Sequence, residues 1–344
     1  SLILSDIAKK VRNGKETDPY QRIMVGMSIF DILYSFFLFF LGTWMAPVET
    51  GSLWAKGNMA SCTAQGFFFM FGGSGEVFYQ GAISLNIWLL IVFGWKQDKF
   101  AEKVEKPMHV IIITLTFLLA GIPLAFQNYG PACGGCRITT IRAKCSDTDN
   151  ENMLCKLRGN ERVGAVVAKI RGSFLVLVLV FSTVTMVWVY LHVKRQEKKN
   201  KRYVFCGSVQ DRQKESERIR KILFLYTLSL YFAYGPLFVF VIVAPTQTLF
   251  SIFRILGPTL GFFNMLVYFL PNCLKYQKDH PGTWLVTAYF RVVCPCPSGM
   301  CGGKKEDMED APEMNFSKFN TANEQPTPSP IDPTNQNNDS NDNP

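Results

Sequence analysis

The chain has 344 residues, 48% of them hydrophobic and 18% charged, with a formal net charge of +9. That length holds one membrane domain and a tail, with no room for a separate soluble domain. The excess positive charge is massed in alternate segments rather than spread along the chain, which excludes a nucleic-acid binder and points to the two sides of a membrane.

The chain opens Ser1-Leu2-Ile3-Leu4-Ser5 and turns basic at Lys9-Lys10. This reads as the end of a truncated first membrane helix over 1–5, followed by a loop over 6–20. A free apolar N-terminus is the alternative. Six long apolar runs follow, at Gln21–Ala46, Gln65–Phe93, Met108–Phe126, Gly172–Val193, Ile222–Ala244 and Leu249–Leu270. Each is near or above the ~20 residues an α-helix needs to cross ~30 Å of hydrocarbon. The predicted fold is all-α, a polytopic transmembrane bundle whose backbone groups pair within helices. The bundle and a juxtamembrane amphipathic segment occupy 21–301. Residues 302–344 are rich in Asp, Glu, Asn, Pro and Thr, and read as a disordered tail that cannot bury enough apolar surface to order itself. Thr327-Pro328-Ser329-Pro330 within it is a candidate phosphorylation site.

Basic residues gather before the first full run (Lys9, Lys10, Arg12, Lys15, Arg22), after the second (Lys96, Lys99, Lys103, Lys106) and across Lys194–Lys221. The positive-inside rule places these in the cytoplasm, with the C-terminus beside them and the N-terminus outside. Cys62 and the loop cysteines Cys133, Cys136, Cys145 and Cys155 then face an oxidising exterior that favours disulfides. A zinc site built on Cys133-x-x-Cys136 is the alternative. Cys294, Cys296 and Cys301 follow the apolar stretch Thr283–Val293, a segment suited to lying flat on the bilayer, and are palmitoylation candidates. Free thiols on a loosely docked segment are the other reading.

Ionisable and amide groups inside membrane helices are costly, so each is a functional candidate. At ~1.5 Å per residue, Asp31, Asn86 and Asn264 sit at one depth, ~12–15 Å above the inner face, and are predicted to form an inner polar network. Glu76 falls near mid-membrane. Lys169 and Arg171 open the Gly172–Val193 helix and Arg254 lies near the outer end of the last one; with Glu76 they are the candidate ligand-binding residues, the three bases suiting an acidic ligand. Snorkelling to headgroups is the alternative for Lys169 and Arg171. Tyr234-Gly235-Pro236 and Gly257-Pro258 are predicted bends. Gly72-Gly73-Ser74-Gly75 has the pattern of intramembrane serine proteases, but that chemistry needs a nearby His. His109, His192 and His280 all fall at or beyond an inner membrane end, so no enzyme and no cofactor is predicted.

Three stretches carry a family resemblance. Tyr20-Gln21-Arg22-Ile23 with Ser28-Ile29-Phe30-Asp31 resembles the second helix of the cyclic-AMP-receptor-like and secretin-related G-protein-coupled receptors of protists. Gly57-Asn58-Met59-Ala60-Ser61-Cys62-Thr63-Ala64-Gln65-Gly66-Phe67 resembles their third-helix entry, and Gly261-Phe262-Phe263-Asn264-Met265-Leu266-Val267-Tyr268 their seventh helix. The resemblance spans Tyr20 to Pro297. It implies a seven-helix receptor of the plasma membrane that senses an extracellular ligand and activates a heterotrimeric G protein by helix rearrangement. It also implies a disulfide from Cys62 to the second outer loop, where Cys136-Arg137-Ile138 best fits the family position, and G-protein contact at Arg218, Arg220 and Lys221. The chain departs from the family at Ile91-Val92-Phe93-Gly94-Trp95, where relatives carry a basic residue, and in the number of outer-loop cysteines. A transporter or channel of similar topology is the rival reading, though no internal repeat supports it. A non-signalling scaffold is a third.

Overall fold

A computed structural model describes residues 2–132, 135–139, 159–200, 256–257 and 259–293, together with 224–225, 227–229, 231–232 and 234–235. The helices in chain order are α1 (Leu2–Arg12), α2 (Pro19–Ser35), α3 (Met59–Ile91), α4 (Gln97–Phe100), α5 (Lys106–Ala125), α6 (Glu161–Asn200), α7 (Thr259–Asp279) and α8 (Leu285–Val293). The described residues between 224 and 235 are helical as well. Among the described residues, three stretches, Pro19–Phe40, Gln97–Ala125 and Glu161–Arg195, are long and apolar enough to cross a membrane. Helices α2, α5 and α6 each show a broad apolar face outward, as in Ile32, Val110 and Leu177, so the surface between the ends is suited to lipid.

The local chemistry explains the helix ends. Pro19 stands in the first turn of α2, where its missing N–H is not needed. Asn58 and Ser61 cap α3 reciprocally: Ser61 N donates to Asn58 Oδ1 at 2.9 Å and Asn58 N to Ser61 Oγ at 2.8 Å. Asn160 caps α6 by accepting from Arg162 N at 3.1 Å and Val163 N at 3.3 Å. That cap moves the start of α6 to Glu161, eleven residues before the Gly172 expected from hydropathy. The last described helix of the bundle likewise runs to Asp279, nine residues past Leu270. Charged first and last turns hide such extensions from an apolar-run reading. The opposite end of the chain shows the same effect, with α1 continuing through Lys9 and Lys10 to Arg12.

Helix α3 is the centre of the bundle and packs against α2, α5 and α6. Its glycines make this possible. A Cβ at Gly72 would stand 2.7 Å from the Tyr34 backbone N, and one at Gly75 would overlap the Phe30 ring. The Gly72-Gly73-Ser74-Gly75 stretch is therefore a close-approach surface for α2. Beyond Ser35, α2 widens into a π-helical turn over Phe36–Phe40. Its freed carbonyls are met from α3, where Gln65 Nε2 donates to Phe37 O at 2.9 Å and to Gly42 O.

One end of the bundle is closed by a two-stranded antiparallel hairpin, β1 (Tyr129–Ala132) with β2 (Gly135–Ile138), in a segment expected to be plain loop. Tyr129 is fully buried against Gly66 of α3 and donates to Ala120 O at 2.8 Å; burial pushes its hydroxyl pKa up. The opposite end carries Lys9, Lys10, Lys96, Lys99 and Lys103 and is called here the basic end. There α8 lies along α7, with Ala288 buried and Tyr289 Oη donating to Leu266 O, while Trp284, Val286 and Phe290 are exposed.

Candidate functional site

The hairpin end is covalently fixed. Cys62 and Cys136 are disulfide-bonded with their Cα atoms 5.2 Å apart, and Ala46 and Ala55 pack around the bridge. Two clamps hold the segment that follows: Asn160 N donates to Asn128 Oδ1 and Asn128 Nδ2 to Asn160 O, both at 2.8 Å. Cys133, Cys145 and Cys155 lie outside the described residues.

Below this cover, polar side chains meet in the middle of the bundle. Asp31 of α2 faces Glu76 of α3 and Asn264 of α7, near enough for their polar groups to interact. Tyr234 donates to Glu76 Oε2 at 3.3 Å, and Asn264 Nδ2 reaches Met27 Sδ at 3.6 Å. Of these four polar groups Glu76, Asn264 and Tyr234 are sealed from solvent, and Asp31 is 8% exposed. Gly261 lets α7 approach, since a Cβ there would lie 3.1 Å from Asp31 Oδ2. Asp31 Oδ1, Asn264 Oδ1, Ser74 Oγ and Tyr34 Oη have no hydrogen-bond partner among the described residues.

This assembly differs from the expected one. Asp31 and Asn264 meet, but their partner on α3 is Glu76. Asn86 is buried with neither amide atom hydrogen-bonded among the described residues. The observed helix ends explain the change. Asn264 lies fifteen residues from Asp279 and Glu76 fifteen from Ile91, each ~22 Å by rise per residue, and Asp31 twelve from Pro19, ~18 Å. Asn86 is only five residues, ~8 Å, from the end of α3.

Of the candidate ligand bases, Arg171 points inward and Lys169 outward. The reason is the longer α6: both residues lie well inside it, and helical rotation sends positions two apart to different faces. The Arg171 guanidinium sits 5.3 Å from the Phe69 ring and donates to Met70 Sδ at 3.2 Å. Its Nη2 and the Tyr34 ring share the space beside Gly73 of α3, one turn from Glu76, where a Cβ would stand 2.9 Å from each. Arg254, Arg218, Arg220, Lys221, Cys294, Cys296 and Cys301 lie outside the described residues.

A second polar junction, at the basic end, was not anticipated. Arg22 of α2 grips Glu105 with two bonds, Nε to Oε1 and Nη2 to Oε2 (2.7 Å), and Nη1 donates to Thr17 O. One turn on, His109 Nε2 lies 3.9 Å from Glu105 Oε1, and its Nδ1 is 2.7 Å from Tyr79 Oη of α3. The i, i+4 spacing of Glu105 and His109 was its one visible signal. Nearby, Tyr268 of α7 donates to Asp6 Oδ2 at 3.0 Å, and Lys10 pairs with the same carboxylate at 3.4 Å.

Residues 6–273 match the family described as "7 transmembrane receptor (rhodopsin family)". Among solved structures, squid rhodopsin superposes with a TM-score of 0.54 at 15% identity, covering 79% of this chain and 73% of that one. At that identity the likeness speaks for the fold: a helical transmembrane bundle. A search of curated proteins returned no match. The transporter or channel reading gains no support from these comparisons.

Proposed function

Because the chain belongs to the rhodopsin family of seven-transmembrane receptors, and is thus a non-enzymatic G-protein-coupled receptor of the plasma membrane, we propose that it senses an extracellular acidic ligand at Arg171 and relays binding through Asp31, Glu76 and Asn264. The single observation that carries this reading is the adjacency of Arg171 to that buried group. A guanidinium has five N–H donors in a fixed fork suited to a carboxylate or phosphate. Held half-buried between Phe69 and Met70, it is presented to whatever enters from the hairpin end. A negative ligand there would compete with Glu76 for the charge of Arg171. The carboxyl pair and its contacts with Tyr234 and Asn264 would then rearrange, shifting α2, α3, α7 and the helix bearing Tyr234 relative to one another. A ligand moves such an equilibrium only by its differential affinity for the two arrangements.

The proposed orientation puts the disulfide end outside and the basic end in the cytoplasm. It is supported by the 20 basic residues of one set of segments against 7 in the other. The basic end would then meet the G protein, with Arg218, Arg220 and Lys221 as proposed contacts. A nearer kinship with the cyclic-AMP-receptor-like and secretin-related receptors of protists rests on the three motifs at helices two, three and seven.

Nucleotide exchange on a G protein, measured with the receptor in nanodiscs against a panel of small carboxylates and phosphates, tests the reading. An active compound should lose its effect in Arg171→Gln and keep it in Lys169→Gln. A response untouched by Arg171→Gln would overturn the assignment of the anion site.

A further inference from the structure

The loop after α2 presents an apolar tip that neither the ligand nor the G-protein reading uses. It leaves the stretch Pro19–Phe40, whose 22 residues span ~33 Å and so cover the ~30 Å hydrocarbon layer. Phe40 therefore stands at the boundary of that layer. Phe36, Phe39, Phe40 and then Trp44 turn outward in sequence, a strip of exposed aromatic surface leading into the loop.

The loop itself is well ordered by its own bonds. Pro47 bridges Gly57, Val48 N donates to Gly57 O at 3.2 Å, Gly57 N to Ala46 O at 2.9 Å and Lys56 N to Trp44 O at 3.2 Å. Thr50 Oγ1 donates to Pro47 O at 2.7 Å. Ala55 packs inward beside Ala46 and the disulfide. The two residues before it do the opposite. Leu53 is 79% and Trp54 68% exposed, and Trp54 adopts φ 70°, a left-handed conformation that a bulky residue rarely takes. A rigid loop thus spends an unfavourable backbone geometry on holding a large apolar side chain outward. Its charges are Glu49 and Lys56, and Lys56 Nζ lies 5.5 Å from the Trp44 ring.

We propose that Leu53 and Trp54 anchor this loop in the lipid bilayer, at the boundary between headgroups and acyl chains on the disulfide side. Lipid is the occupant because the tip continues a lipid-facing aromatic strip from the point where the helix reaches the hydrocarbon edge. Indole, apolar in body with one N–H to donate, is enriched in that layer. Lys56 reaches the headgroups from an apolar base on Trp44. The anchor and the Cys62–Cys136 bridge hold opposite sides of one loop, which fixes the mouth of the bundle relative to the membrane.

The test uses the full chain in nanodiscs and the emission difference between it and Trp54→Phe, which isolates Trp54 among six tryptophans. Lipids brominated close to the headgroup should quench this difference signal about twofold more than lipids brominated near the chain ends, and aqueous iodide should quench it little. Quenching by iodide with none from brominated lipid would place the tip in water and overturn the proposal. Protection from both would mean that protein covers the tip, a second copy or another part of this chain, and would overturn it equally. Leu53→Lys supplies a second reading: iodide quenching of Trp54 should rise as the tip is drawn from the bilayer, and an unchanged value refutes the anchor.

Discussion

The two buried polar groups of this bundle are built on opposite principles. At the basic end, the Glu105 carboxylate meets the Arg22 guanidinium in a two-bond pair, with His109 and Tyr79 completing the chain. In the middle, Asp31 and Glu76 meet each other, with neutral Asn264 and Tyr234 as partners and several oxygens unsatisfied among the described residues. Paired charge with matched donors has one good geometry and resists change. A carboxyl pair with spare acceptors has several arrangements of similar energy, which a proton, a water or a ligand's charge can select. The first is suited to holding α2, α3 and α5 in register, the second to switching.

This contrast can be broken most sharply at Glu105. Removing one partner of a buried pair costs ~3–5 kcal/mol, and with the Arg22 side chain 39% exposed the loss from Glu105→Ala should be about 2 kcal/mol. Thermal melts in nanodiscs should show it, while basal nucleotide exchange per folded receptor stays unchanged. A large change in exchange at intact stability would assign the switch to the wrong group.

Gly75→Ala comes next. Its methyl must displace the Phe30 ring, and overpacking of this kind costs ~1–3 kcal/mol. Since Phe30 precedes Asp31, the push should also separate Asp31 from Glu76 and alter basal exchange. A variant as stable as the parent would show that α2 and α3 are less closely packed than described.

Glu76→Gln keeps the shape and most of the hydrogen bonds of the mid-bundle group but removes its titratable proton. Stability should move by less than about 1 kcal/mol, whereas basal or ligand-driven exchange should change roughly fivefold or more. Unaltered exchange would remove Glu76 from the relay. Tyr79→Phe deletes the 2.7 Å contact to His109 and should cost about 1 kcal/mol with no change in signalling. The smallest effect is expected at Asn86. Replacing it with Leu of similar size removes two amide atoms that have no partner among the described residues and should be neutral or slightly stabilising. A loss above about 1 kcal/mol would reveal a partner for its amide.

The sequence alone determined that this is a polytopic helical membrane protein. Hydrocarbon thickness and the demand for internal backbone hydrogen bonds leave few other uses for long apolar runs. It also marked Asp31, Glu76, Asn264 and Arg171 as residues with a purpose, because polar groups are costly at those depths. The Cys62–Cys136 pairing was legible through family resemblance and is formed in the structure. Only the tertiary structure decided which of these residues meet. Apolar runs locate the hydrocarbon but miss charged terminal turns, so helix starts and ends shifted by up to eleven residues at α6. Depth counted from a misplaced end chose Asn86 where Glu76 belongs, and a misplaced start gave Lys169 and Arg171 the same role when they face opposite ways. The Arg22–Glu105 pair joins residues 83 apart in sequence. No local pattern encodes such a contact. It exists because α2 and α5 both pack against α3, which brings the start of one beside the start of the other.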